Sequence, residues 1–362
     1  MSDKLPFVLG CSVPLSSAAE EKLKSSFKGF HYHPNKPDSP AKFTKEELSE
    51  IEFFFTTGRG LPVSSLDELP KLKHIQLASA GSDAAQRSEA IAAYKEKAGQ
   101  EQAISLSTAS GTHVLSIPNY AVAMVIALYH QLPRMITRAK DEKRWLEEEE
   151  CDRDGQAYYA RSLHGRTAGL LGYGALGRET ARLLKAHGMK IIAANTSGKA
   201  SSQDGYVIPG TGDKDGSIPE QYYSTKDSKS LEKFLKQSDV LICSLPGTPD
   251  TKYFLNKERL ALLPPNAVLV NVGRGSLIPS DDLLAALDAP KGLFGAALDV
   301  TDPEPLPANH PLWSHPKVVI TPHTSGNTEG EMDIAAEIAL YNAKKLAKGE
   351  AVINRVKFDR GY

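Results

Sequence analysis

Cysteine is scarce in this chain, with three among 362 residues, at positions 11, 151 and 243. They lie far apart, without metal-ligand spacing, so neither a disulfide framework nor a metal site is expected. Cys243 sits inside the apolar run V-L-I-C-S and reads as a buried structural thiol. An excess of one charge is also missing. Lysine plus arginine (43) almost balances aspartate plus glutamate (44), so nothing in the composition points to nucleic acid as a partner. The acidic run Glu147–Glu150 is read as a solvated face. No apolar run is read as long enough to cross a bilayer, and no signal segment is seen at the start, so the expectation is a cytoplasmic protein without a membrane partner.

What is present is an ordinary globular composition, 41% hydrophobic, over a length that suits two domains. The first third alternates strand candidates (Phe7–Gly10, Phe53–Thr56, His74–Ala78, Ala103–Ser107) with helix candidates near 17–27 and 84–97. That rhythm predicts an α/β domain with a parallel sheet. A long amphipathic stretch, about 117–139, leads into a second domain. There the strand candidates are Ala168–Leu171, Lys190–Ala194, Val240–Ser244, Ala267–Val272, Gly295–Asp299 and Val318–Thr321. Six strands, several of them nearly all apolar, with helices between them predict a Rossmann-type doubly wound sheet. Residues 198–230, rich in Gly, Ser, Asp and Lys, are read as a surface insertion after its second strand. A final helix, about 333–348, is expected to return to the first domain. The expected division is 1–114 with 327–362 for a discontinuous, flavodoxin-like substrate-binding domain, and 115–326 for the dinucleotide domain.

The segment G-L-L-G-Y-G-A-L-G-R-E-T-A-R-L-L-K-A-H-G carries G-x-G-x-x-G at Gly172, Gly174 and Gly177, between a strand and an amphipathic helix. The glycines allow the tight turn, the approach of a pyrophosphate and close helix–strand packing, and the helix start at Ala175 and Leu176 offers its N–H groups to phosphate. At the end of the next strand, where a carboxylate would bind the ribose of NAD, the chain has Asn195, Thr196 and Ser197, with Lys199 close by. Without a carboxylate to repel a 2′-phosphate, NADP is the preferred expectation. NAD, with Asn195 on the ribose hydroxyl, stays open.

Three polar residues follow apolar strands in Pro- or Gly-marked loops: Arg274 in N-V-G-R-G-S-L-I, Glu304 in L-D-V-T-D-P-E-P-L-P, and His323 in P-H-T-S-G. Ligands of open α/β sheets bind beyond the carboxyl ends of strands, so three such ends can serve one crevice. With G-Y-G-A-L-G and S-L-P-G-T-P-D-T, these motifs resemble the D-isomer-specific 2-hydroxyacid dehydrogenase family over nearly the whole chain. The wording around Glu304 is similar to the glyoxylate/hydroxypyruvate reductase branch. S-I-P-N-Y, the insertion and the terminal R-G-Y resemble fungal members.

The resemblance implies NAD(P)H-dependent reduction of a small 2-keto acid to the D-2-hydroxy acid. Arg274 would pair with the substrate carboxylate, His323 would donate the proton, and Glu304 would orient the imidazole. Asp299 would face the nicotinamide carboxamide, with further cofactor contacts from Leu245, Pro246, Thr251, Val272, Gly273, His323 and Ser325. In L-A-S-A-G-S-D, Ala80 and Gly81 would offer backbone N–H groups to the substrate carboxylate, and hinges are expected near 112–117 and 324–329. A homodimer is implied, and Trp145 would reach a neighbouring subunit or else fill a core. Met124 stands where many relatives carry glutamate in V-A-E. A dinucleotide-sensing, corepressor-like binding protein is the alternative from another functional class.

Overall fold

Five short runs in this chain are buried at every position: Phe53–Thr56, His74–Leu77, Val240–Cys243, Val268–Asn271 and Gly295–Leu298. Strands of that kind belong inside parallel sheets covered by helices on both faces. A computed structural model, describing residues 4–36, 38–98, 104–203 and 205–357, shows two such sheets in two units. One unit takes the described residues through His113, Gly205 and Tyr206, and those from Thr328 onward; the other takes Val114–Gln203 and Val207–Asn327.

The first unit holds β1 (Leu5–Cys11), β2 (Phe27–Tyr32), β3 (Phe53–Thr56), β4 (His74–Leu77) and β5 (Ser105–Ser107), all parallel, in the order β2-β1-β3-β4-β5. This is the flavodoxin-like order. Strand β2 is not apparent in the sequence because it begins at Phe27, directly after the helix Ser17–Ser26, and carries Gly29 at its centre. The helix expected at 84–97 is two pieces, Asp83–Gln86 and Glu89–Ala98. Ala103, the start of one expected strand, and the terminal R-G-Y lie outside the described residues. The helix Glu331–Ala347 buries Ala335, Ile338, Ala339 and Ala343 in the same cluster as Leu9, Phe53 and Phe55. Tyr206, reached from the insertion, packs edge-on against Tyr341 of that helix.

The second unit holds β6 (Thr167–Leu171), β7 (Lys190–Asn195), β8 (Gln221–Ser224), β9 (Val240–Cys243), β10 (Val268–Asn271), β11 (Gly295–Leu298) and β12 (Val318–Ile320). Their order is β12-β11-β10-β9-β6-β7-β8, all parallel, with the switch point between β6 and β9. The chain therefore has seven strands here where six are expected, and the extra one corrects the insertion. Gln221–Ser224 pairs with β7 at the sheet edge, and Asp227 caps the helix Ser228–Gln237, so the excursion ends near residue 220. An edge strand reading Q-Y-Y-S gives no apolar run to detect. Nor is the excursion merely superficial. Arg178, 4% exposed, donates to the carbonyls of Asp213 (2.6 Å) and Ser201 (2.8 Å). The Tyr173 hydroxyl donates to the Asp213 carboxylate at 2.7 Å.

The stretch expected as one helix over 117–139 is broken. Ile117–Tyr129 ends at His130, Gln131 adopts φ 52°, and Leu132–Glu142 starts anew with Pro133 in its first turn. Proline lacks the donor an unbroken helix would need and clashes with the preceding turn. The window Thr112–Tyr129 is apolar and long enough to cross a membrane by length and composition alone, contrary to the reading from sequence. Its apolarity is accounted for within the unit, where Ile117, Ala121, Val125, Leu128 and Tyr129 join the core of β6, β7 and β10. Cys243 is fully buried, and burial pushes its thiol well above the usual range.

His74 is a buried base in the first unit. Its Nδ1 meets Ser105 Oγ at 2.7 Å and its ring lies 4.8 Å from that of Phe53. Burial lowers its pKa to about 3, and the charge of Arg355 acts in the same direction. The folded value lies below the unfolded one, so the unfolded chain binds the proton first as pH falls. The stability tied to a neutral His74 is complete above about pH 6.5 and is lost toward pH 3, at about 1.4 kcal/mol per pH unit. Urea unfolding between pH 7 and 5 should show this slope, and His74→Gln should flatten it.

Candidate active site

The site is built from the loops that leave the carboxyl ends of the strands. After β6, Gly172 takes φ 101°, and a side chain there would meet Ser244 Oγ at 3.0 Å. Gly177 lies so close under the turn that a β-carbon would stand 2.2 Å from the Gly172 carbonyl oxygen. Gly174 differs, because nothing lies within 4 Å of the place its β-carbon would occupy. It stands at the start of the helix Ala175–Ala186 and offers no side-chain cap, so the first N–H groups have an open approach. Ala175 and Leu176 form that first turn.

After β7, the Asn195 side chain is used to shape its own turn. Its Oδ1 accepts from the Gly198 N–H (2.7 Å) and Ser197 Oγ (3.2 Å), and its Nδ2 donates to the Lys199 carbonyl (2.9 Å). Thr196, Ser197 and Lys199 are exposed. After β9, Leu245 and Pro246 lead into a loop closed by Thr251, whose hydroxyl donates to the Pro246 carbonyl at 2.6 Å. Gly273, after the buried Val272, approaches that loop so closely that a β-carbon would stand 2.6 Å from the Leu245 carbonyl oxygen.

Arg274, Glu304 and His323 come after β10, β11 and β12, three adjacent strands. Neighbouring strands lie about 4.8 Å apart, so these ends fall within roughly 10 Å laterally. The Arg274 stem passes over Gly247, and its Nη1 donates to the Gly273 carbonyl at 2.9 Å. His323 Nδ1 meets Glu304 Oε1 at 2.6 Å, with side-chain exposures of 50% and 40%. Asp299 is 2% exposed. Its carboxylate accepts from Thr321 Oγ1 (2.6 Å), the N–H groups of Thr324 (3.0 Å) and Ser325 (3.1 Å), and Ser325 Oγ. Both oxygens of the Asp299 carboxylate thus take their partners from the loop that carries His323.

The sequence model described as "D-isomer specific 2-hydroxyacid dehydrogenase, NAD binding domain" matches residues 122–325. The chain belongs to this family. It is 34% identical over 251 residues to glyoxylate/hydroxypyruvate reductase A of Photorhabdus laumondii, covering 68% of this chain and 69% of that protein. A D-isomer specific 2-hydroxyacid dehydrogenase family protein of Aeromonas salmonicida is 27% identical, with TM-score 0.71 over 98% of this chain and 99% of that one. A 2-hydroxyacid dehydrogenase of Xanthobacter autotrophicus, solved with NADPH and MES, shares the fold at 23% identity, with TM-score 0.73 over 99% of this chain and all of that one.

The protein is accordingly an oxidoreductase of small hydroxy or keto acids that uses a nicotinamide dinucleotide. The residues present fit such a cofactor: the open space over Gly174 at a helix start is the cradle a pyrophosphate needs. Ala80 and Gly81 belong to the first unit, in the turn after β4, where Ser79 Oγ donates to the Gly81 carbonyl at 2.6 Å. A contact beside this loop that the sequence reading does not reach joins Thr321 and Tyr120, whose hydroxyls meet at 2.8 Å. Tyr120 ends the S-I-P-N-Y segment, which carries no chemical signature of its own.

The second and third fingerprint glycines should respond differently to alanine. Gly174→Ala should leave the melting temperature unchanged and weaken dinucleotide binding. Gly177→Ala should lower both, because its β-carbon meets backbone. Thermal melts and a dinucleotide titration monitored by fluorescence would separate the two effects.

Proposed function

We propose that the protein reduces a small 2-keto acid to the D-2-hydroxy acid, with NADPH preferred and His323 as proton donor. The observation that carries this reading is the 2.6 Å pair of His323 Nδ1 and Glu304. It orients the imidazole with Nε2 on the side away from the carboxylate, where a proton can be delivered to the 2-keto oxygen. Bound reduced nicotinamide supplies the hydride. Arg274 binds the substrate carboxylate through its planar fork and polarises the keto group. Glu304 holds the imidazole in this orientation through the 2.6 Å contact.

NADPH preference rests on the turn at Asn195–Lys199, which presents hydroxyls and a lysine and no carboxylate. A carboxylate 4 Å from a phosphate charge would cost on the order of 4 kcal/mol at an effective dielectric near 20. A homodimer is part of the proposal, supported by the exposed Leu132, Ile136, Trp145 and Tyr159 of the second unit. So is a cytoplasmic location, supported by three unpaired cysteines.

Oxidation of NADPH and NADH should be followed against glyoxylate, hydroxypyruvate, pyruvate, branched and phenyl-substituted 2-keto acids. Turnover with NADPH favoured is the expected result; dinucleotide binding without turnover on any of them would sink the proposal. His323→Ala should lower kcat by about 10²- to 10⁴-fold while the dinucleotide Kd holds. Arg274→Ala should chiefly raise KM for the keto acid. Full turnover by His323→Ala would remove its role as proton donor.

A further inference from the structure

Tyr120 lies on the helix Ile117–Tyr129, far in sequence from every motif of the site, yet it reaches the loop that carries His323. We propose that Tyr120 is a positioning residue: through Thr321 and Asp299 it holds residues 321–325 in the shape that presents His323. The inference rests on the role given to His323 above.

The direction of the chain of contacts comes from proton inventory. An ionised carboxylate only accepts, so the Thr321 hydroxyl proton goes to Asp299 Oδ1 at 2.6 Å. At the 2.8 Å contact with Thr321 Oγ1, the tyrosine must then be the donor. Beyond Thr321, Asp299 gathers the N–H groups of Thr324 and Ser325, while its carbonyl accepts the His323 N–H at 2.8 Å. His323 itself has φ 55°, a left-handed conformation that a β-carbon resists, so the loop depends on support from outside. A second tie runs from the start of the same helix, where Ser116 Oγ donates to the Gly326 carbonyl at 3.3 Å. The helix is a firm anchor because Ala121, Val122 and Val125 are buried in the unit's core. Burial and the nearby charge of Asp299 raise the Tyr120 phenol above its ordinary value, which keeps it a donor at neutral pH.

The test is Tyr120→Phe, read in two ways. Amide hydrogen exchange should accelerate at 321–326 while the melting temperature and dinucleotide Kd stay at wild-type values. kcat should fall by about ten- to a hundredfold with little change in KM, as expected when a reacting group is displaced. Thr321→Val should do the same, the double variant should lose no more than either single one, and Thr321→Ser should retain activity. Unchanged exchange would overturn the tether. Faster exchange with wild-type kcat would overturn positioning, provided His323→Ala is inactive alongside it. If His323→Ala were also fully active, the fault would lie with the proton-donor reading. A joint fall in melting temperature, cofactor binding and kcat would make Tyr120 a purely structural residue.

Discussion

A buried carboxylate is costly unless its lone pairs are filled, and at Asp299 the filling is done by one short loop. That requirement organises this end of the second sheet. β11 ends at Leu298, so Asp299 is the first residue past a strand buried at all four positions and has no freedom to move toward solvent. The loop after β12 must therefore come to it. In doing so the loop turns His323 into a left-handed conformation and leaves its ring on Glu304, a residue delivered by the same excursion from β11. The exposed His323–Glu304 pair is thus fixed by a buried acceptor that does not itself meet solvent.

The parallel sheet explains why such residues can cooperate although they are far apart in the chain. Each strand ends at the same edge, so the loops leaving β10, β11 and β12 are brought side by side without any contact being specified in the sequence. The glycines act at the same level. Gly273 and Gly177 stand where a β-carbon would strike backbone, so they permit loops from neighbouring strands to close up, whereas Gly174 leaves space unfilled. Close approach and open space require the same residue type for opposite reasons, and only the geometry distinguishes them.

Legibility in the sequence depends on the range over which a constraint acts. The fingerprint at Gly172–Gly177 is readable because strand, turn and helix are contiguous, and Arg274, Glu304 and His323 are readable because each comes soon after an apolar run. Strand β8 is not, since an edge strand needs no apolar alternation when a single neighbour, β7, supplies its pairing. The break at Gln131 could be found only by giving Pro133 more weight than the apolar period around it. Tyr120 and Thr321 are 201 residues apart, and no local pattern announces a hydroxyl pair of that separation. Asn195 is legible as a position but not in its action, because its amide is spent on the turn that displays its neighbours.

The insertion shows the same economy of side chains on the dinucleotide side. Arg178 and Glu179, directly after the last fingerprint glycine, are both almost fully buried, and both bind the excursion: Arg178 through the Asp213 and Ser201 carbonyls, Glu179 through the Gly212 N–H at 2.6 Å. Tyr173, between the first two glycines, adds its hydroxyl to the Asp213 carboxylate. A loop of glycine, serine and aspartate buries too little apolar surface to order itself. Here it is ordered by polar groups that the fingerprint helix has already fixed. The dependence runs in the other direction as well. Of the two buried charges in the first turns of that helix, Glu179 also pairs with Arg182 at 2.6 Å, whereas Arg178 takes its hydrogen-bond partners from the excursion. Removing it would leave the buried Arg178 guanidinium without these acceptors beneath the glycine turn, so this segment is part of the dinucleotide domain's framework.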